Sequence, residues 1–157
     1  MYRGVRKIHG RWWCVEVNDE EKLVRVGLTH EVSSPLSKHS LIDQVFQALE
    51  KYFQGQRENF DFPLSLELQT PFQREVLETL REIPYGQTVS YQDIARRIGR
   101  PKAVRAVGSA IGRNPFLIIL PCHRVLPKSG GYGKYRGGEA LKEALIKLEA
   151  GVKSRGS

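Results

Sequence analysis

Only two cysteines, Cys14 and Cys122, occur in the 157 residues. A disulfide-dense scaffold is therefore excluded. The two could pair on arithmetic alone, but the reducing compartment expected for this chain argues against it. His9, His30 and His39 are scattered without ligand spacing, so no metal site is expected, and no sequence feature calls for a cofactor. No apolar run is long enough to span a bilayer. The basic start, Met1 to Lys7, is not followed by the apolar stretch of a secretion signal. The expectation is an intracellular protein with no membrane partner, cytoplasmic in a prokaryote and nuclear in a eukaryote. Internal repeats and low-complexity segments are absent too, which leaves an ordinary globular chain.

The composition agrees, with 40% hydrophobic and 27% charged residues, enough for one domain or two small ones. The formal net charge is +8 and the pI about 9.7. That excess favours a polyanionic partner, nucleic acid before membrane, although solubility alone would also account for it.

The first half reads as a small α/β unit. Runs from Trp12 to Val17 and from Lys22 to Leu28 flank the turn-prone Asn18–Glu21, predicting a hairpin. Cys14 lies in the first run, where free cysteine packs as a small hydrophobe. Ile42, Val45, Phe46, Leu49 and Phe53 carry helical spacing, and Gly55 stops the helix. The polar residues from Gln56 to Asp61 begin a linker. The domains are placed at 1–68 and 69–157.

The second half reads as mostly helical. Thr70-Pro71-Phe72-Gln73 has the form of a capping box with proline at the first helical position. Phe72, Val76, Leu80 and Ile83 then mark a buried stripe, and Pro84-Tyr85-Gly86 ends the helix. Ser90-Tyr91-Gln92-Asp93 opens a second helix with Tyr91, Ile94, Ala95 and Ile98 on one face. After Gly99 a third helix is expected from Pro101, burying Ala103, Ala106, Val107, Ala110 and Ile111. Lys102, Arg105, Ser109 and Arg113 fall on its other face. Two short helices with basic residues outside the second form a helix-turn-helix pattern. Gly108, Ser109 and Gly112 make that outer face narrow around Arg105. Such a helix suits close approach to a DNA backbone or minor groove, with Arg105 reaching into the base stack. A solvated face on a core helix is the other account. A last helix carries Leu141, Ala144, Leu145 and Leu148 inward and ends near Gly151, with a frayed basic tail after it.

Pro121-Cys122-His123-Arg124-Val125 follows the apolar run Phe116–Leu120. A thiol brought out of a core segment to a surface beside two basic residues is expected to favour its thiolate, the nucleophilic form. Side chains that are adjacent in an extended segment point apart, so a water between Cys122 and His123 is expected rather than a direct bond. Glu149 lies at the end of the last helix, where the macrodipole disfavours an anion, a placement that suits a functional role.

These residues resemble the O6-alkylguanine-DNA alkyltransferases. The resemblance runs from about Thr70 to Gly151. It rests on Ile83 to Tyr91, Ala103 to Gly108, Asn114-Pro115, the Pro-Cys-His-Arg-Val block and Leu148 to Gly151. It implies an α+β fold, with a ribonuclease H-like N-terminal α/β domain before the helix-turn-helix domain. It implies direct-reversal repair of double-stranded DNA, bound through the minor groove by a monomer that flips the damaged base. Cys122 would take the alkyl group from O6-alkylguanine, and from O4-alkylthymine, once per molecule. His123 would act as a water-linked base oriented by Glu149. Tyr91 would donate a proton to the leaving guanine, though its position also suits a core role. Asn114 would serve as a hinge, though Asn-Pro also simply ends helices. Arg105 would fill the gap left by the flipped base, with Lys102, Ala106, Gly108, Ser109 and Arg113 around it. Val125, Tyr135, Arg136 and Lys142 would line the base pocket, with arginine at 136 where some members have serine. The glycine-rich loop 129–138 would wall that pocket; it lacks the lysine and hydroxyl pattern of a phosphate loop. The competing readings are a non-catalytic sensor of alkylated DNA, a helix-turn-helix regulator and, more weakly, a thiol hydrolase.

Overall fold

The computed structural model describes residues 1–33 and 36–155, with 152–155 described by backbone alone. The fold is mixed α/β and divides into two compact units, Met1–Leu66 and Glu67–Ser157. Among the described residues no helix is long and apolar enough to cross a membrane.

The first unit is a three-stranded antiparallel sheet with one helix. Strands β1 (Tyr2–Ile8), β2 (Arg11–Val17) and β3 (Leu23–Leu28) lie in that order. The N-terminal stretch read above only for its charge is thus strand β1. His9 and Gly10 join it to β2, both with positive φ, as a tight two-residue hairpin requires. The predicted Asn18 turn is present. Its Oδ1 accepts from the backbone N–H of Glu20 and of Lys22, each at 3.0 Å. Helix α1 (Ser40–Phe53) buries the five expected residues together with Ala48 and Tyr52. Its N-cap is His39, whose Nδ1 accepts from the Leu41 N–H at 3.1 Å. Gly4 lets the helix sit on the sheet, since a Cβ there would stand 2.5 Å from Ile42 Cγ2.

The second unit is built mainly of helices. Helix α2 (Pro71–Thr79) starts at the expected capping box, with reciprocal Thr70 and Gln73 bonds of 3.1 and 3.0 Å. It stops at Thr79 and tightens into a 3-10 turn over Leu80–Glu82, earlier than Pro84 had suggested. Phe72 is only half-buried, with the Arg100 guanidinium over its ring, and Leu77 takes the core place instead. Strand β4 (Val89–Ser90) pairs in parallel with β5 (Val125–Leu126). Helix α3 (Tyr91–Arg97) opens at the expected Ser90–Asp93 box. Helix α4 (Val104–Gly112) begins three residues later than the proline predicted, because residues 100–103 close a turn through the Ala103 N–H to Arg100 O bond at 2.9 Å. Lys102 therefore lies in the turn and not on the helix. Ala106 is exposed, so the core face of α4 is Val107, Ala110 and Ile111. Helix α4 packs on both α2 and α3. Helix α5 spans Glu139–Arg155, so Gly151 does not end it. The frayed tail expected after Gly151 concerns side chains outside the described residues.

Candidate active site

The apolar run 116–120 is not a strand but a compact series of turns wrapped around one amide. Asn114 is fully buried. Its Oδ1 accepts from the Phe116 N–H at 2.9 Å. Its Nδ2 faces Phe116 O at 3.2 Å, Leu120 O at 3.0 Å and Cys122 Sγ at 3.0 Å. Two hydrogens serve three acceptors, so the sulfur competes with a carbonyl for donation. The Cys122 N–H bonds to Leu120 O at 2.7 Å. Ile118 has φ 70, a left-handed conformation that is strained for a β-branched side chain. This tight path places Asn114 directly behind the thiol.

Cys122 is 1% exposed. The structure thus corrects the expectation of a surface thiol. It also corrects the expectation of a ready thiolate. Burial pushes the Cys122 pKa up to about 11, against the pull of the Asn114 bond, the Lys142 charge and, more weakly, Arg136. Nor is the segment extended: Cys122, His123 and Arg124 form one 3-10 turn.

Arg124 does not serve the sulfur. Its guanidinium grips Glu149 with both prongs, Nε to Oε1 at 2.9 Å and Nη2 to Oε2 at 3.2 Å. Its Nη1 donates to Ile83 O at 2.7 Å. The same carboxylate meets His123 Nε2 at 2.6 Å and accepts the Gly86 N–H at 3.0 Å. Burial alone would raise the Glu149 pKa, but the hydrogen bonds of His123 and Arg124 and the Arg124 charge hold it well below the usual carboxylate range. Glu149 is therefore an anion that can only accept, and neutral His123 carries its proton on Nε2 and its lone pair on Nδ1. Burial lowers the His123 pKa, outweighing the opposing pull of Glu149. Glu149 lies well inside α5, which runs on to Arg155, so the helix end expected beside it is not there. The buried donors explain its place instead.

Lys142 lies two turns before Glu149 on α5 and is fully buried. Its Nζ has no hydrogen-bond partner among the described residues and sits 5.7 Å from the centre of the Tyr91 ring. Burial lowers its pKa to about 8, partly offset by Cys122. Tyr91 is half-buried, and burial followed by Cys122 raises its pKa. The Tyr135 hydroxyl is buried, again with no partner among the described residues, and its pKa lies well above the ordinary value because of burial, Cys122 and Glu149. Val125 is buried in β5. Arg136 is exposed and donates to Arg113 O, at the end of α4, at 3.2 Å.

A groove of about 870 Å³ is lined by Arg105, Gly108, Ser109 and Arg113 of α4 and its end, with Tyr91 and Gly133 among the other lining residues. Lys102, Arg105, Ala106, Ser109 and Arg113 are exposed. Cys122 does not line the groove. Gly133 comes close to the tyrosine: a Cβ there would stand 3.2 Å from the Tyr91 hydroxyl, and φ is 71. Among the described residues no cluster of three or more His, Cys, Asp or Glu could hold a metal ion.

The structure thus brings Cys122, His123, Glu149, Asn114, Tyr91, Tyr135 and Lys142 together, and Tyr91 also lines the groove that carries Arg105. Sequence reasoning missed Arg124 as the partner of Glu149 and Gly86 as a donor to it. Arg124 stood in the motif, but nothing in the spacing said that it turns away from the thiol.

Known proteins share both halves of the chain. Residues 71–151 match the family model described as 6-O-methylguanine DNA methyltransferase, DNA binding domain. Residues 15–66 match that of the ribonuclease-like domain of the same enzyme. An inducible methylated-DNA–protein-cysteine methyltransferase of Bacillus subtilis is 52% identical over 101 residues, 64% of this chain and 56% of that protein. The chain thus spans little more than half of that relative. A Haemophilus influenzae protein described as methylated-DNA–protein-cysteine methyltransferase is 41% identical over 140 residues, 85% of this chain and 78% of the relative. The crystal structure of Mycobacterium tuberculosis O6-methylguanine methyltransferase superposes with a TM-score of 0.85 at 34% identity, covering 96% of this chain and 93% of that one. A structure of the Mycobacterium tuberculosis protein OGT in complex with DNA gives the same TM-score and identity, covering 97% and 94%.

Proposed function

The chain belongs to the 6-O-methylguanine DNA methyltransferase family, and from that premise we propose that it repairs alkylated DNA by direct reversal, moving the alkyl group of O6-alkylguanine onto its own Cys122. The observation that carries this reading is the buried Cys122 Sγ held 3.0 Å from the Asn114 amide, next to the His123–Glu149–Arg124 network.

In the reaction one S–C bond forms as the C–O bond to the guanine oxygen breaks. The thiol proton passes to His123 through a water, and the departing base takes up one proton. Tyr91 is protonated at neutral pH, with burial raising its pKa further, so its hydroxyl is the donor to the base. Burial opposes a free thiolate, so charge forms on the sulfur only as it reacts. The Asn114 amide and the Lys142 ammonium stabilise it there. Keeping the thiol protonated until substrate arrives protects a side chain that can be used once. The thioether has no route back, and the transfer needs no cofactor.

Helices α3 and α4 act as a helix-turn-helix that meets the minor groove of duplex DNA. The narrow α4 face, with Gly108 and Ser109 beside Arg105, allows the close approach, and Arg105 takes the space of the flipped base. Lys102, in the turn before α4, and Arg113, at its C-cap, contact phosphates. Val125, Tyr135, Arg136 and Lys142 receive the base, and O4-alkylthymine is a second substrate. The first unit takes the ribonuclease H-like layout. A sensor that binds alkylated DNA without reacting would have no use for a thiol placed on an amide donor.

The test is incubation with duplex DNA containing O6-methylguanine, followed by intact-mass measurement and peptide mapping. One methyl group on Cys122 is expected. An unmodified Cys122 with loss of substrate, or no reaction at all, would overturn the reading. Cys122→Ala should still bind the duplex.

A further inference from the structure

Taking Cys122 as the alkyl acceptor, we propose that Arg124 is a positioning residue of the transfer, one that keeps His123 a neutral proton acceptor by taking up the charge of Glu149. Arginine beside a reactive thiol would ordinarily be read as a charge that favours thiolate. The geometry says otherwise, since all three guanidinium nitrogens are committed away from the sulfur, Nε and Nη2 to Glu149 and Nη1 to Ile83 O at 2.7 Å. The Tyr85 ring lies 5.6 Å from the guanidinium carbon and closes the other side.

An imidazole bonded to a lone buried carboxylate is drawn towards the imidazolium, because the ion pair satisfies both groups. A protonated His123 could not take the thiol proton. Here the carboxylate already has a fixed cation gripping both of its oxygens and a backbone N–H on one of them. The imidazole need only donate Nε2–H. Three charged groups act on His123: Glu149 and Lys142 from α5, and Arg124 from its own turn. Glu149 attracts a proton to the ring, while Arg124 and Lys142 repel it. Arg124 also sets position. It ties the carboxylate to the loop that follows α2 through Ile83, while Gly86 of that loop donates to Glu149 directly. The histidine is thereby aimed by a carboxylate that is itself clamped.

The experiment follows the His123 ring nitrogens by NMR against pH in the parent, Arg124→Gln and Arg124→Lys proteins, with the single-turnover transfer rate measured over the same range. In Arg124→Gln the His123 titration should move to higher pH. The acid limb of the rate profile should move with it, so that transfer falls on the order of tenfold near pH 6.5 and far less near pH 8.5. Arg124→Lys keeps the charge and should restore the neutral ring and the acid limb, with a smaller loss spread over all pH. An Arg124→Gln protein whose ring titration is unchanged, or whose rate drops equally at every pH, overturns the proposal. If the glutamine variant does not fold, Arg124→Met, equally uncharged, takes its place. In it a His123 titration and acid limb moved to higher pH support the proposal, and parent-like ones overturn it. Mass mapping of Cys122 in the parent separates the two levels. No adduct there removes the acceptor reading and the proposal with it, whereas an adduct with an unmoved ring removes the proposal alone.

Discussion

Replacing Lys142 with methionine should make the protein more stable and less active. An ammonium with no hydrogen-bond partner among the described residues is costly inside a folded core, and burial lowers its pKa from 10.5 to about 8. At about 1.4 kcal/mol per unit, that displacement is a penalty of about 3 kcal/mol against folding at neutral pH. The sign follows from proton uptake. Between pH 8 and 10.5 the unfolded chain binds the lysine proton and the folded chain does not, so stability rises with pH through that window. Below pH 8 the full penalty stands. Methionine has similar length and no charge to desolvate. In Lys142→Met, urea unfolding at pH 7 should therefore show a gain of up to about 3 kcal/mol, less whatever repacking costs. The gain over the parent should shrink towards zero as pH approaches 10.5. The single-turnover rate should fall on the order of tenfold or more, because the charge that meets the developing thiolate is gone. A Lys142→Met protein less stable than the parent at pH 7, or a stability difference independent of pH between 8 and 10.5, would refute this account of the buried lysine. Unchanged transfer would refute its catalytic part.

Other consequences are equally open to measurement. With the Cys122 pKa near 11, iodoacetamide labelling of that residue, followed by peptide mass, should be slow at pH 7 and rise about tenfold per pH unit; a plateau below pH 8 would show a thiolate already present. Glu149, held below its ordinary 4.5 by the bonds of His123 and Arg124, contributes stability that is lost as pH falls below about 4.5. His123, buried neutral, adds a loss below its ordinary 6.5. Urea midpoints of the parent should therefore fall in acid more steeply than those of Glu149→Gln, and parallel curves would contradict the network. Arg105→Ala should slow repair on the order of tenfold to a hundredfold on duplex substrate while sparing transfer from free O6-benzylguanine, and equal losses on both would place Arg105 at the chemistry instead.

Local rules were legible wherever a short stretch decides the outcome by itself. The boxes at Thr70 and Ser90 and the stripe on α1 were readable because a cap or a helical face needs only residues within one or two turns. The start of α4 was misplaced because Pro101 is as good in a turn as at a first helical position, and the Arg100–Ala103 turn won. Strand β1 was hidden because Arg3, Arg6 and Lys7 give it a basic run and Gly4 takes the place of an apolar residue against α1. The site residues were nameable because the cysteine block is dense with chemistry. Their partners were not, since His123 and Glu149 are separated by 26 residues and Gly86 and Glu149 by 63.

By itself the sequence determined which groups the chain has for chemistry: one thiol beside a histidine, a later glutamate, and a narrow basic helix. It did so because those identities are written in the order of the chain. Only the tertiary structure decided what each group does. Burial is a property of the packed whole, and it raised the Cys122 pKa that adjacent basic residues were expected to lower. The same packing turned Arg124 towards Glu149 and left Lys142 as the larger cationic influence on the sulfur.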